Sequence, residues 1–195
     1  MDTVNIPTPT NFEVDKYLRL WDSLDNYVLQ ENSLDKLFIE LIPQNTDIRD
    51  ILIKASTLND FYSTNIYSIF PVAKHILELN IDERLSNADI SLVNDIANVE
   101  ISDKHKCFYS FATKYCSHHK PTDFPIYDSF VENVLLYFSK KDNFLKIKRA
   151  ELKDYSFFKN ALISFSCYYG IDNYNLKDLD RYLWQLGKEY FPKKY

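Results

Sequence analysis

The stretch "KCFYSFATKYCSHHKPTDFPIYDSFVENVL", residues 106–135, decides how the rest of the chain is read. Phe108, Phe111, Ala112 and Tyr115 recur at helical spacing, and the capping signal sets a helix from about Asp103 to Ser117. Pro121 and Pro125 break the pattern. It then resumes in "SFVENVLLYF", where Phe130, Val131, Val134, Leu135 and Phe138 face inward. Two amphipathic helices joined by a short proline loop point to an all-α chain.

The same period extends outward. "VDKYLRLWDSLDNYVLQ" places Tyr17, Leu18, Trp21, Leu24 and Val28 on one helical face, and "SLDKLFIELI" supplies a shorter helix that stops before Pro43. "NTDIRDILIKASTL" opens on the candidate caps Asn45, Thr46 and Asp47, and Pro71 is expected to kink or begin the next helix. "NIDERLSNADISLVNDIANVE" reads as two short helices, Gly170 as a C-cap, and Leu179, Leu183 and Leu186 as the stripe of a last helix. The expectation is about eight to ten short helices in one domain over 1–195. Two lobes, about 1–100 and 101–195, are the alternative.

Only 2 glycines in 195 residues leave little material for sandwich turns, a phosphate loop or a dinucleotide fingerprint, so no cofactor of those kinds is expected. Three cysteines at irregular positions, no secretory signal at the start and no apolar run long enough for a bilayer predict a reduced, cytoplasmic protein with no membrane partner. Fifteen tyrosines, 14 phenylalanines and 2 tryptophans serve as bulky core filler or line a cavity.

The net charge of −5 is uneven. Residues 1–100 carry 7 basic against 17 acidic side chains, and residues 101–195 carry 16 against 11. A basic C-terminal half leaves DNA open as a partner, and the acidic N-terminal half suits a protein partner.

Asp128 stands at a helix start, where a carboxylate satisfies orphan amides. Ser129 with Glu132 is also a capping-box pattern, and if Ser129 is the cap then Asp128 is released for chemistry. Lys114 borders the apolar stripe of its helix. Such a lysine either snorkels to water or holds a partly desolvated amine able to attack a sugar carbon, which a nearby carboxylate would assist. Cys107, Cys116, His105, His118 and His119 fall within fifteen residues, but their spacing matches no standard zinc set, so no metal is expected.

The order helix, lysine, proline loop, "FPIYD" and "SFVENVL" resembles the helix-hairpin-helix DNA glycosylases, nearest to their 8-oxoguanine glycosylase-like branch, over about residues 45–138. The resemblance implies base extrusion into a cleft, attack on the anomeric carbon by Lys114 or a water, and stabilisation of the cationic sugar by Asp128. It makes Lys106 the substitute nucleophile and sets Asn59, with Tyr62 beside it, at the gap left by the extruded base. Trp184 would stack on that base. The family's hairpin offers glycine amides to a DNA phosphate, whereas "EISDKHKCFYS" has no glycine. Either Lys104, His105 and Lys106, with His118 and His119 nearby, replace that anchor, or the chain is a non-catalytic module that binds nucleic acid or protein.

Overall fold

The structure, a computed structural model, describes residues 5–192, so that residues 1–4 of the stretch read for a leader lie outside it. Ten α-helices and one two-stranded sheet are seen among the described residues. They divide into two compact units, one of residues 26–126 and one of Met1–Asp25 with Tyr127–Tyr195. These units do not follow the charge division near residue 100. The 26–126 unit holds nine basic and fourteen acidic side chains, and the other holds fourteen of each.

The unit formed from both chain ends contains α1 (Asn11–Trp21), α8 (Ser129–Asp142), a 3-10 turn (Arg149–Lys153), α9 (Tyr155–Tyr169) and α10 (Leu176–Tyr190). Side-chain caps open the helices: Thr10 Oγ1 accepts from Glu13 N, Asp154 Oδ1 from Phe157 N, and Asn175 Oδ1 from Asp178 N. Gly170 closes α9 at φ 64°, as expected of a left-handed C-cap. Val14 and Tyr17 on α1, Val134, Leu135 and Phe138 on α8, and Leu179, Leu183 and Leu186 on α10 form the core.

The helix expected over 14–30 ends at Trp21. Ser23 Oγ donates to the Leu20 carbonyl at 2.6 Å, a side-chain bond that competes with the helical ladder. A new helix, α2 (Asp25–Asp35), then begins and passes directly into a π-helical segment, Lys36–Leu41, where a separate short helix is expected from the sequence. In the 26–126 unit follow α3 (Ile48–Phe61), capped by Asp47, then α4 (Ile69–Leu79), with Pro71 in its first turn, α5 (Asp82–Ser86) and α6 (Leu92–Ala97).

The expected helix start near Asp103 is corrected. Residues 98–107 form an antiparallel hairpin, β1 (Asn98–Ile101) and β2 (Lys104–Cys107), with Ile101 opposite Lys104. Ser102 and Asp103 both take positive φ, 50° and 58°, the backbone a two-residue hairpin turn requires. Without the customary glycine, the turn reads in sequence as a helix cap. Helix α7 (Tyr109–His119) starts only after it.

Gly187 on α10 sets the approach to α8. A Cβ there would come within 2.6 Å of the Phe130 carbonyl oxygen and 2.7 Å of Phe130 Cβ. Gly187→Ala therefore is expected to destabilise the protein by about 2 kcal/mol despite the better helix propensity of alanine, read as a fall in Tm of roughly 4–8 °C. An unchanged Tm would show that α10 can retreat without loss.

Candidate active site

Helix α7 carries Ser110, Lys114 and His118 at intervals of four, which places them along one side of the helix. Lys114 is 3% exposed. Its Nζ lies 2.6 Å from Ser110 Oγ and 5.1 Å from the centre of the Tyr62 ring, a cation-on-aromatic contact. Tyr62 is the C-cap residue of α3, and its hydroxyl stands 3.0 Å from His118 Nε2. The other ring nitrogen, Nδ1, lies 3.0 Å from Asp35 Oδ1 at the end of α2. The His118 side chain has no exposed surface, whereas that of Asp35 is 37% exposed. A carboxylate accepts, so Nδ1 carries a proton, and in the neutral ring Nε2 accepts from Tyr62. Asp35, His118, Tyr62, Lys114 and Ser110 thus form one connected group, all within the 26–126 unit.

A second polar group lies behind it. Lys54 is fully buried, and its Nζ donates to the Ile42 and Gln44 carbonyls and to Asn45 Oδ1, at 3.1, 2.9 and 2.7 Å. Tyr115 donates to the same Asn45 oxygen at 2.6 Å, while Asn45 N and Nδ2 donate to the two Asp82 oxygens. His119 Nε2 sits 3.2 Å from Asn45 Nδ2 and 3.4 Å from Lys54 Nζ. Both neighbours are donors, so Nε2 is the acceptor and His119 is neutral. Burial, with Lys54 and His118 beside it, pushes the His119 imidazole down to about 3. Burial also draws the Lys54 ammonium down to about 8, against the opposing pull of the Asp82 and Asp50 carboxylates. With each polar atom named here held by a partner, this second group works as a fastening of α3, α7 and the segment after the π-helix.

The remaining residues singled out in the sequence are dispersed. Asn59 closes the turn that follows α3: its Oδ1 accepts from Thr64 Oγ1 and Ile66 N at 2.6 and 3.0 Å, and its Nδ2 donates to the Ile66 carbonyl. That use of the amide holds the segment bearing Tyr62. His118 and His119, expected near DNA, turn both ring nitrogens and Nε2, respectively, to partners inside the 26–126 unit. Lys104 and Lys106 are exposed on β2. Trp184 is half-buried on α10, edge-on to Trp21 and Phe130, with Lys188 Nζ 4.7 Å from its ring.

Asp128, in the other unit, is the N-cap of α8, and its Oδ1 accepts from Phe130 N at 2.8 Å. Of the two capping readings open in the sequence, the structure shows the one in which the cap is Asp128 and not Ser129. Glu132, its presumed capping-box partner, instead accepts from the Tyr127 hydroxyl and pairs with Arg149. Among the described residues, no set of three or more His, Cys, Asp and Glu side chains converges on a metal position. Sequence reading found Lys114, Tyr62 and His118 but missed Asp35, Ser110 and Lys54. The four-residue spacing of Ser110, Lys114 and His118 was the available signal for Ser110.

The family described as "HI_0787_N: N-terminal domain" matches residues 13–123. Those residues include all five members of the Lys114 group and end before Asp128. A Haemophilus influenzae protein, described as an uncharacterized protein, is 52% identical over 171 residues, which are 87% of this chain and 78% of the relative. No solved structure matches.

His119 supplies an acid-side prediction. Its folded value, about 3, lies below the ordinary 6.5, so between these limits the unfolded chain binds the extra proton. This contribution to stability is complete above pH 6.5 and is lost as the pH falls toward 3, with a slope of up to about 1.4 kcal/mol per pH unit. His119→Gln, whose amide oxygen can occupy the acceptor position without titrating, should flatten the denaturant-measured slope by about one proton. An unaltered slope would mean that His119 is already free to protonate in the fold.

Proposed function

The chain belongs to the HI_0787_N family, and on that footing we propose that it is a DNA N-glycosylase-like hydrolase that removes a modified or oxidised base, with Lys114 as the attacking amine. The observation that carries this reading is the setting of Lys114: a buried amine, touching a serine hydroxyl and an aromatic face, on the helix that the glycosylase resemblance singled out. A lysine amine placed against a sugar carbon can act as a nucleophile once it has given up its proton.

In the proposed step Lys114 Nζ adds to C1′ of the sugar. The C1′–N bond breaks, and the base leaves with its electron pair and a proton from the attacking nitrogen. Ring opening then yields the iminium, with O4′ taking a proton from solvent. Stabilisation of the cationic sugar by Asp128 rests on the resemblance alone.

A second reading has its own support. Asp128 already spends Oδ1 on the α8 amide, and the exposed β2 strand displays Lys104, His105 and Lys106 in a row, which suits a non-catalytic DNA-binding module.

Borohydride trapping on a duplex with one 8-oxoguanine separates these readings. The wild-type protein is expected to form a covalent complex, Lys114→Ala to form none, and Asp128→Asn to release base about a hundredfold more slowly. Base release without trapping assigns the attack to water. Trapping by Lys114→Ala at the wild-type level, or turnover untouched by Asp128→Asn, removes the corresponding residue from the mechanism. Salt-sensitive binding with no base release leaves the binding module.

A further inference from the structure

We propose that Asp35 and His118 are positioning residues, which act through the Tyr62 hydroxyl to hold the face of its ring against the Lys114 amine. The inference rests on Lys114 being the nucleophile. Nothing in the glycosylase resemblance or the family match assigns a role to Asp35, or to His118 as an internal link.

The argument follows the hydrogen bonds. Tyr62 stands just past the last turn of α3, half-buried, with its ring 5.7 Å from that of His118 between centres, and a tie at the hydroxyl fixes the ring at its far end as well. His118 Nε2 provides that tie at 3.0 Å, and the imidazole is itself fixed from the far side by Asp35 at 3.0 Å. The His118 ring also packs against Phe38, at 5.5 Å between centres, which limits its tilt. At the other end the Tyr62 ring centre lies 5.1 Å from Lys114 Nζ, while Ser110 Oγ holds the same nitrogen at 2.6 Å. Ring and hydroxyl together fix two directions about Nζ, so the orientation of the amine depends on a chain of contacts that ends at a carboxylate reaching solvent. Asp35 sets which ring nitrogen carries the proton. A proton on Nδ1 leaves Nε2 as an acceptor, and only then can the Tyr62 hydroxyl donate. Adjacent His119 takes no part, because its nitrogen points to the Asn45–Lys54 group.

A purely packing role for His118 would leave Lys114 unaffected by removal of single polar atoms at Asp35 or Tyr62. The test compares wild type, Asp35→Ala and Tyr62→Phe in single-turnover trapping on the 8-oxoguanine duplex, with the histidine tautomers read by 15N NMR. Asp35 is partly exposed and Tyr62→Phe deletes one oxygen, so at least one variant keeps the fold, which melting curves check. In wild type His118 is expected to carry its proton on Nδ1. Both variants are expected to trap about tenfold more slowly at saturation with an unchanged half-saturating DNA concentration, the mark of lost orientation rather than lost binding. Asp35→Ala should also lose the Nδ1 preference. Wild-type trapping rates in a folded variant, or a wild-type ring protonated at Nε2, would overturn the relay while leaving Lys114 as nucleophile. A wild-type protein that never traps overturns the nucleophile itself, and the positioning role with it.

Discussion

The architecture of the 26–126 unit turns on one constraint: α7 is buried along nearly its whole length, although half of its residues are polar. From Tyr109 to His118 every residue except Ser110 is buried, including Thr113, Lys114, Ser117 and His118. An unpartnered polar group in that setting costs roughly 1–3 kcal/mol, more for a charge. Each polar side chain of α7 must therefore reach a partner: Thr113 and Lys114 bond back to Ser110 on the same helix, whereas the two histidines and Tyr115 bond to other elements. His118 draws in the end of α2 and the end of α3, while His119 and Tyr115 draw in the segment that follows the π-helix. The candidate site is a by-product of satisfying a buried polar helix.

Adjacent histidines show how this division works. Successive residues on an α-helix are about 100° apart, so His118 and His119 face different neighbours. His119 meets two donors, Asn45 Nδ2 and Lys54 Nζ, and is held neutral. His118 meets a carboxylate and a phenol. The sequence pair "HH" invites a shared role, as a metal or DNA site, but the folded backbone gives the two rings different partners: both accept at Nε2, and His118 also donates from Nδ1. Phe38 lies against both rings and keeps each in its own plane, at 45° to His118 and 68° to His119.

Elements closed by a local signal were legible in the sequence. Asp47 and Gly170 cap where their residue types require, and the α8 and α10 stripes are buried as their period implies except at Phe130, which is half-buried. The readings that stayed open or are corrected lie where two local signals compete. Ser102–Asp103 is chemically plausible as a helix cap and as a hairpin turn, and only the pairing of Val99 with Lys106 and its neighbours decides for the hairpin. At Asp128 and Ser129 the capping box and the simple cap differ by one residue. Glu132 settles the matter by turning to Tyr127 and Arg149, the latter seventeen residues away. The candidate site was legible by residue but not by grouping: Lys114 and His118 share a helix, whereas Asp35 reaches His118 across 83 residues with no pattern to announce it.

Burying Lys54 and Lys114 in the same unit poses a problem of charge, and the two lysines resolve it differently. Lys54 is surrounded by carbonyl-type oxygens, with Asp82 one hydrogen-bonded residue away, an arrangement that offers an acceptor to every ammonium proton. Lys114 has a hydroxyl, the Ser110 carbonyl at 3.5 Å and an aromatic face among its contacts; the hydroxyl can donate as readily as accept, whereas the ring face favours the ammonium. Lys54 is thereby tied to the segment that follows the π-helix, and Lys114 to its own helix and to the ring of Tyr62. The two buried lysines thus differ in the chemistry of their partners rather than in the degree of burial.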